Sequence, residues 1–413
     1  MKKHIQATAL AVSLLLMVGC GTARSQSEPI PAAEQANAEQ TLGGLHFAQS
    51  SQGDGSVWIV SGDQAFLAGE RQIDGGCLLQ SVDLTTGQRT VLCGKADCAH
   101  SDQDCDAWLR RDGFIQMTET ESGQLALFWQ IDGEASVELR DLSGKVLRSQ
   151  TKISALPVSG PVYRDGGSLY YMCSAEQYQN LWRVNVEDSE RFGQCEEVCR
   201  WQLAENPYPL LYTENGIVVE QTSGTGEEEN QGTTCLYLLR WENTVQKIFE
   251  QDLAQGMIWK AEGDTALFAY QRASGMLEQI NPADGTRTEF AQVQPGIRYA
   301  NPVHLTQGRL IYSWNDGEAH GQSWVEQNGQ PVEIKALSRG HNGGVTDVIA
   351  LQALGNGRLL ADLGDLEYPI TETGTDGKVF SMNTSERLYG IFTLDEYCQG
   401  GKEYLPVQAE AEF

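Results

Sequence analysis

The sequence predicts an all-β protein: a seven-bladed β-propeller, with six blades as the alternative, built from four-stranded antiparallel blades. Three observations carry that expectation. The first is a repeat. The stretches "ESGQLALFW", "RDGGSLYYM", "TENGIVVEQ", "EGDTALFAY", "TQGRLIYSW" and "GNGRLLADL" each set a glycine turn before a short apolar and aromatic run. Their glycines, Gly123, Gly167, Gly216, Gly263, Gly308 and Gly357, are spaced by 44, 49, 47, 45 and 49 residues. A further copy, "GDGSVWIVS", aligns through Gly55. The second observation is the turn chemistry inside each unit. "DLTTGQRTVL", "DLSGKVLR", "NPADGTRTEF" and "EQNGQPVEI" carry Gly with Asp or Asn, residues that tolerate the left-handed backbone of tight turns. The third is that few windows show helical periodicity. A period of about 40–50 residues with four strands per unit is the mark of a propeller, because one such sheet cannot cover both of its own faces and must be packed between neighbours.

The remaining strand of each unit lies ahead of its glycine turn: "LHFAQS", "FIQMTE", "PVYR", "PLLYTE", "MIWKAE", "PVHLTQ" and "VIALQA". The last unit contains four strands of its own, so no N-terminal strand is needed to complete it. Aromatics such as Trp129, Tyr170, Trp241, Trp259 and Trp314 fall within the repeating strands and read as packing between blades. Two β-sandwich domains would not explain so regular a period.

The N-terminus reads as an export signal over 1–19. Lys2 and Lys3 give a basic start, residues 7–18 are mainly apolar, and small residues precede Cys20. The apolar run is shorter than the roughly 20 residues that a membrane span requires. The placement of Cys20 resembles a bacterial lipoprotein signal, and the resemblance implies that Cys20 becomes the lipidated first residue. Ordinary secretion, with Cys20 incidental, is the alternative. Residues 20–43 are rich in Ala, Glu, Gln, Ser and Pro and read as a flexible tether. Residues 44–413 then form the propeller domain. The formal net charge of −27 argues against nucleic acid as a partner, since like charges repel.

The step from Gly55 to Gly123 is 68 residues, about 21 more than the other steps. The excess coincides with "VLCGKADCAHSDQDCDAW", which places Cys93, Cys98, His100 and Cys105 in an insertion expected between the outer strand of blade one and the inner strand of blade two. Three readings are open for the cluster. Three thiolates and an imidazole suit a structural zinc with no open position. An exported protein is also free to form disulfides, such as Cys98 with Cys105 or Cys93 with Cys77. Free thiols are the third reading. The segment, with its C-x4-C-x-H-x4-C spacing after a "TTGQRTVL" turn, is similar to one found in β-propeller-like lipoproteins of Gram-positive anaerobes, the Clostridia and relatives. That family has no assigned activity, so the resemblance implies relatives and no reaction.

Connections between blades and middle-strand turns emerge on one face of a propeller. By this register the cysteine insertion, "NDGEAHG" and "SRGHNGG" share that face, which makes Asp316, Glu318, His320, Arg339 and His341 candidates for a binding sector near His100. The chain shows no Gly-x-Ser-x-Gly elbow, His-Glu-x-x-His, phosphate loop or dinucleotide fingerprint. The expected function is therefore a membrane-anchored extracytoplasmic scaffold on the outer side of the bacterial cytoplasmic membrane, binding a protein, an envelope component or a carbohydrate. An extracellular enzyme acting on a glycan or peptide at the channel mouth is the alternative.

Overall fold

The computed structural model describes residues 45–410 apart from 49, 53–57, 72–74, 155–161, 176, 204–206, 224–231, 264–265, 336–337, 342–343 and 374–378. Cys20, the signal segment and the tether lie outside the described residues. Within them the chain is a ring of antiparallel β-meanders, a β-propeller, and no helix is long and apolar enough to cross a membrane.

Hairpin turns set the meanders in motion. Gln307-Gly308 and Asn356-Gly357 hold φ of 49° and 78°, and 50° and 68°. Two successive left-handed residues give the turn whose twist matches that of the flanking strands, and glycine meets the second without steric cost. The strand that follows each turn carries a central run of consecutive apolar residues because that part is covered on both faces. In Leu125–Ile131, Leu125, Leu127 and Trp129 pack toward the first blade, while Ala126 and Phe128 pack toward the third. In Ala266–Gln271, Ala266, Phe268 and Tyr270 face one neighbour, and Leu267 and Ala269 face the other. The period-two pleat thus turns one apolar run into two contact surfaces.

Five sheets of four or five strands stand as separate blades. The first is formed by Ile59–Ser61, Gln64–Ala68, Gly76–Asp83 and Arg89–Val91, with Trp108–Arg110 on the same outer edge. The second runs from Phe114–Glu119 to Val146–Thr151, the third from Val162–Asp165 to Cys195–Gln202, and the fourth from Tyr208–Thr213 to Val245–Asp252. The last comprises Ile349–Gly355, Arg358–Thr373, Val379–Thr393 and Leu405–Pro406. Between the fourth and the last, strands from Gly256–Gly263 to Val332–Ile334 form one continuous eight-stranded sheet. The expected count of seven blades, or six, is thereby corrected to five separate blades, the two remaining meanders being joined in the eight-stranded sheet. Glycine turns count meanders. They do not reveal that two meanders are hydrogen-bonded into one sheet, by parallel pairing of Glu262 with His304 and Gly263 with Leu305.

A second correction concerns "LHFAQS", which does not form the inner strand of the first blade. His46–Ala48 instead pairs with Val162–Asp165 of the third blade, and Ser50–Gln52 with Phe114–Glu119 of the second. The N-terminal segment therefore lies along the innermost strands of two blades.

Apolar clusters continue round the ring, and the one that closes it unites Trp58, Leu67 and Val82 with Leu354, Leu360 and Tyr389. Each fully buried side chain of this size contributes about 1.5–3 kcal/mol. Polar contacts fix the register of the closing seam. Gln352 accepts from the Trp58 amide at 2.9 Å and donates to its carbonyl at 2.8 Å. Beside it, the C-terminal tail crosses onto the first blade. The Gln408 amide donates to the Gly87 carbonyl at 2.9 Å. The Glu410 carboxylate accepts from Gln80 Nε2 at 2.6 Å and from the amides of Glu70 and Arg71 at 3.1 and 2.6 Å. Arg89 sits 3.4 Å from Glu386 and 3.5 Å from Glu410, and all three side chains are at most 3% exposed.

The parallel seam in the eight-stranded sheet buries His304 completely. Its Nε2 lies 3.1 Å from the Ala350 carbonyl, so that nitrogen carries the proton, while Nδ1 has no partner among the described residues. Burial holds the imidazole below its ordinary 6.5, against the opposing pull of Glu262 and the Ala350 carbonyl.

Two outcomes follow. Arg89→Met leaves two buried carboxylates without their cation, and the loss of stability is expected to be about 3–5 kcal/mol by urea unfolding. His304 in the unfolded chain takes a proton below about pH 6.5 that the folded chain resists, so its contribution is intact above that pH and declines as pH falls below it. The melting temperature should drop between about pH 7.5 and 5.5, and by less in His304→Gln; an equal drop in both proteins would contradict the assignment.

Candidate metal centre

The cysteine segment begins where the outer strand of the first blade breaks off. Arg89–Val91 pairs with Gln80–Val82 of Gly76–Asp83, and Trp108–Arg110 pairs with Gly76–Leu78 of that same strand. Residues 92–107 are thus a loop inside one interrupted edge strand. The expected position, between blades one and two, is corrected accordingly: the spacing of the glycine turns measures the excess length but not which strand contains it.

Several bonds seat the loop. The Leu92 amide donates to the Leu79 carbonyl at 3.0 Å, and the Leu79 amide donates to the Ala107 carbonyl at 2.7 Å. The second blade closes on it from the side. Arg140, 6% exposed, donates to the carbonyls of Asp106 at 2.6 Å and Trp108 at 3.2 Å, and pairs with Glu138. Gly144, with φ 81°, rests so close to the Leu92 carbonyl that a Cβ there would collide with it. Cys93 and Cys98 pack against the apolar cluster shared by the first two blades, and Cys105 is buried within it.

Inside the loop the four side chains named from the sequence converge. The sulfurs of Cys93, Cys98 and Cys105 and a ring nitrogen of His100 all lie within 4.8 Å of one another. His100 Nδ1 is 3.3 Å from Cys105 Sγ. His100 holds φ of 53°, a left-handed conformation that a non-glycine residue adopts at a cost. The chain turns twice, with the Cys98 amide donating to the Lys95 carbonyl and the Cys105 amide to the Asp102 carbonyl. Lys95 Nζ bridges the loop to Asp106 Oδ1 at 2.8 Å.

The thiols split in their proton affinity. Burial raises Cys93, but the amides of Lys95 and Asp106 and the thiols of Cys98 and Cys105 outweigh it and hold the group below its ordinary value. Burial pushes Cys105 up to about 12, with Cys98 and Cys93 acting in the same direction against the Ala107 amide. Three sulfurs at this separation cannot all carry negative charge unless a cation offsets their repulsion.

Asp316, Glu318 and His320 stand apart from this group, and the side chains of Arg339 and His341 lie outside the described residues. Asp316 Oδ1 accepts from the amides of Glu318 and Ala319 at 2.8 and 2.7 Å, which locks the turn before His320 and holds the Asp316 carboxyl below its usual range. His320 opens the strand His320–Glu326 and is exposed. Arg339 and His341 lie in the short strand Ser338–His341, paired with Gly344–Asp347. Cys93, Cys98, His100 and Cys105 form the one group of this kind found among the described residues, and Asp316, Glu318 and His320 are not part of it. The cysteines from Cys77 to Cys398 are unbridged in the structure. Lys95, inside the motif, and Asp106, just after it, were not singled out from the sequence, although each is a charge within or beside the cysteine spacing. Arg140 has no such signal, because only the packing of the second blade carries it to the loop.

No family model matches the chain, and no curated protein does. Similar solved structures are matched at low identity. A prolyl endopeptidase is 10% identical with a TM-score of 0.47 over 88% of this chain and 56% of its own. Oligopeptidase B from Leishmania major is 10% identical with a TM-score of 0.47, over 92% and 51%. The β-propeller domain of the Trilobed protease from Pyrococcus furiosus is 10% identical with a TM-score of 0.46, over 87% and 98%. The chain spans about half the length of the first two peptidases.

Proposed function

We propose that this protein is an exported binding scaffold, held on the outer side of the bacterial cytoplasmic membrane by lipid on Cys20. The ring presents its loops to a protein, an envelope component or a carbohydrate. Two acyl chains or more on one residue anchor a protein stably, since each buried methylene contributes about 0.8 kcal/mol. The tether of residues 20–43 would let the ring stand clear of the bilayer.

The observation that carries the scaffold reading is the course of His46–Ala48 and Ser50–Gln52. They pair with the innermost strands of the second and third blades, so the chain itself occupies the axial edge there. An enzyme acting on a glycan or peptide at the channel mouth needs that edge for substrate. Loops around a rigid rim serve a scaffold better, because loops on a fixed frame vary without disturbing the core. The locked Asp316 turn and the neighbouring His320 are the surface we assign to the partner, with Glu318, Arg339 and His341 as further members of that sector.

Cys20→Ser is expected to move the protein from the membrane fraction to the soluble exported fraction and to abolish incorporation of labelled fatty acid; a variant that stays lipidated would refute the anchor. Capture from the native envelope with the tethered protein tests the scaffold. A partner whose affinity falls about tenfold in a His320→Ala, Asp316→Asn double variant supports the assigned surface. Glycan or peptide turnover by the purified protein would favour the enzyme reading instead.

A further inference from the structure

We propose that Cys93, Cys98, His100 and Cys105 bind one zinc ion as a closed structural site that mends the interrupted outer strand of the first blade. The geometry is four-way. Zinc with sulfur ligands at about 2.3 Å in a tetrahedron places those ligands about 3.8 Å apart, and the four donors here all lie within 4.8 Å of one another. A disulfide would explain two of the sulfurs, at a bond length of about 2.05 Å, and would leave the third sulfur and the imidazole without a reason to converge.

The surroundings are those of a metal-bound thiolate cluster. Cys105 is buried in the apolar cluster of the first two blades, and Cys93 and Cys98 pack against it, so the packing of two blades holds the three sulfurs in place. His100 keeps its left-handed backbone, and the result is that Nδ1 faces the sulfurs. A strained residue of this kind persists where the site requires it. Binding releases three thiol protons, and zinc, three thiolates and a neutral imidazole leave a net charge of about −1. Lys95 lies on the loop beside that charge, paired to Asp106. Thiolate and imidazole donors select zinc over calcium or magnesium, which prefer oxygen.

The position supplies the role. Arg89–Val91 and Trp108–Arg110 lie in sequence along one edge of Gly76–Asp83, and the loop must return the chain to that edge. A metal that joins Cys93, just after the first piece, to Cys105, just before the second, closes that return. Four protein ligands leave no position for water or substrate, so the ion is a brace and has no catalytic part.

The test uses the full mature protein purified without chelator or reductant. Elemental analysis should find about one zinc per chain, falling below about a tenth of that in Cys98→Ser and in His100→Ala. Cys235→Ser, outside the cluster, should retain the metal. Should the ligand variants fail to fold, the wild-type protein still decides. Exchange with cobalt should give the visible bands of tetrahedral coordination and a thiolate charge-transfer band in the near ultraviolet. Chelation should expose the segment around residues 93–105 to proteolysis. Zinc-free protein with all four ligands intact, an intact mass lacking the two hydrogens of a Cys98–Cys105 bridge, or octahedral cobalt spectra would each overturn the site.

Discussion

Ring closure is the constraint on which the rest of this structure depends. Each meander is a sheet with two apolar faces and no means of covering either alone. Leu127 and Phe128 are adjacent in the chain yet belong to different clusters on opposite sides of one strand. Neither cluster exists without the neighbouring blade. Stability is therefore shared round the circle, and the contact between the first and last blades is the one that the chain cannot supply by simple succession. There Trp58 and Tyr389 meet edge to face at 5.0 Å.

The C-terminal tail guards that contact. Glu410 reaches across the seam and is satisfied by two backbone amides, a glutamine amide and Arg89. Buried ions are costly to desolvate, and here each has several partners, so the network specifies position more than it adds stability. Among the described residues no strand is exchanged between the chain ends at this seam, and Leu405–Pro406 pairs within the last blade. His46–Ala48 and Ser50–Gln52 lie instead against the inner strands of two other blades.

The cysteine loop obeys a different logic. It interrupts an edge strand, where lost pairing is tolerated because only one neighbour is affected. The gap is filled by local devices: Arg140 from the second blade, the Lys95–Asp106 pair and the convergence of four soft donors. These hold the loop against the packed face between the first two blades, where Cys105 is buried in the shared apolar cluster and Cys93 and Cys98 pack against it. The four donors and the core packing are thus joined there, and a change in one is felt by the other.

The all-β class, the repeated meander and the four converging side chains were legible in the residue string, since each rests on short-range rules: glycine turns, two-residue pleat and ligand spacing. Asn356-Gly357 and Gln307-Gly308 prescribe their turns locally. Tertiary structure alone decided that two meanders fuse at Glu262 and His304, because innermost strands come within hydrogen-bonding distance only once the ring has drawn them to its axis. It alone decided that His46–Ala48 and Ser50–Gln52 join the third and second blades, that the cysteine loop divides an outer strand, and that Arg140 and Glu410 reach their distant partners. Those contacts link positions from about thirty to several hundred residues apart, and their energy depends on burial that no local pattern encodes.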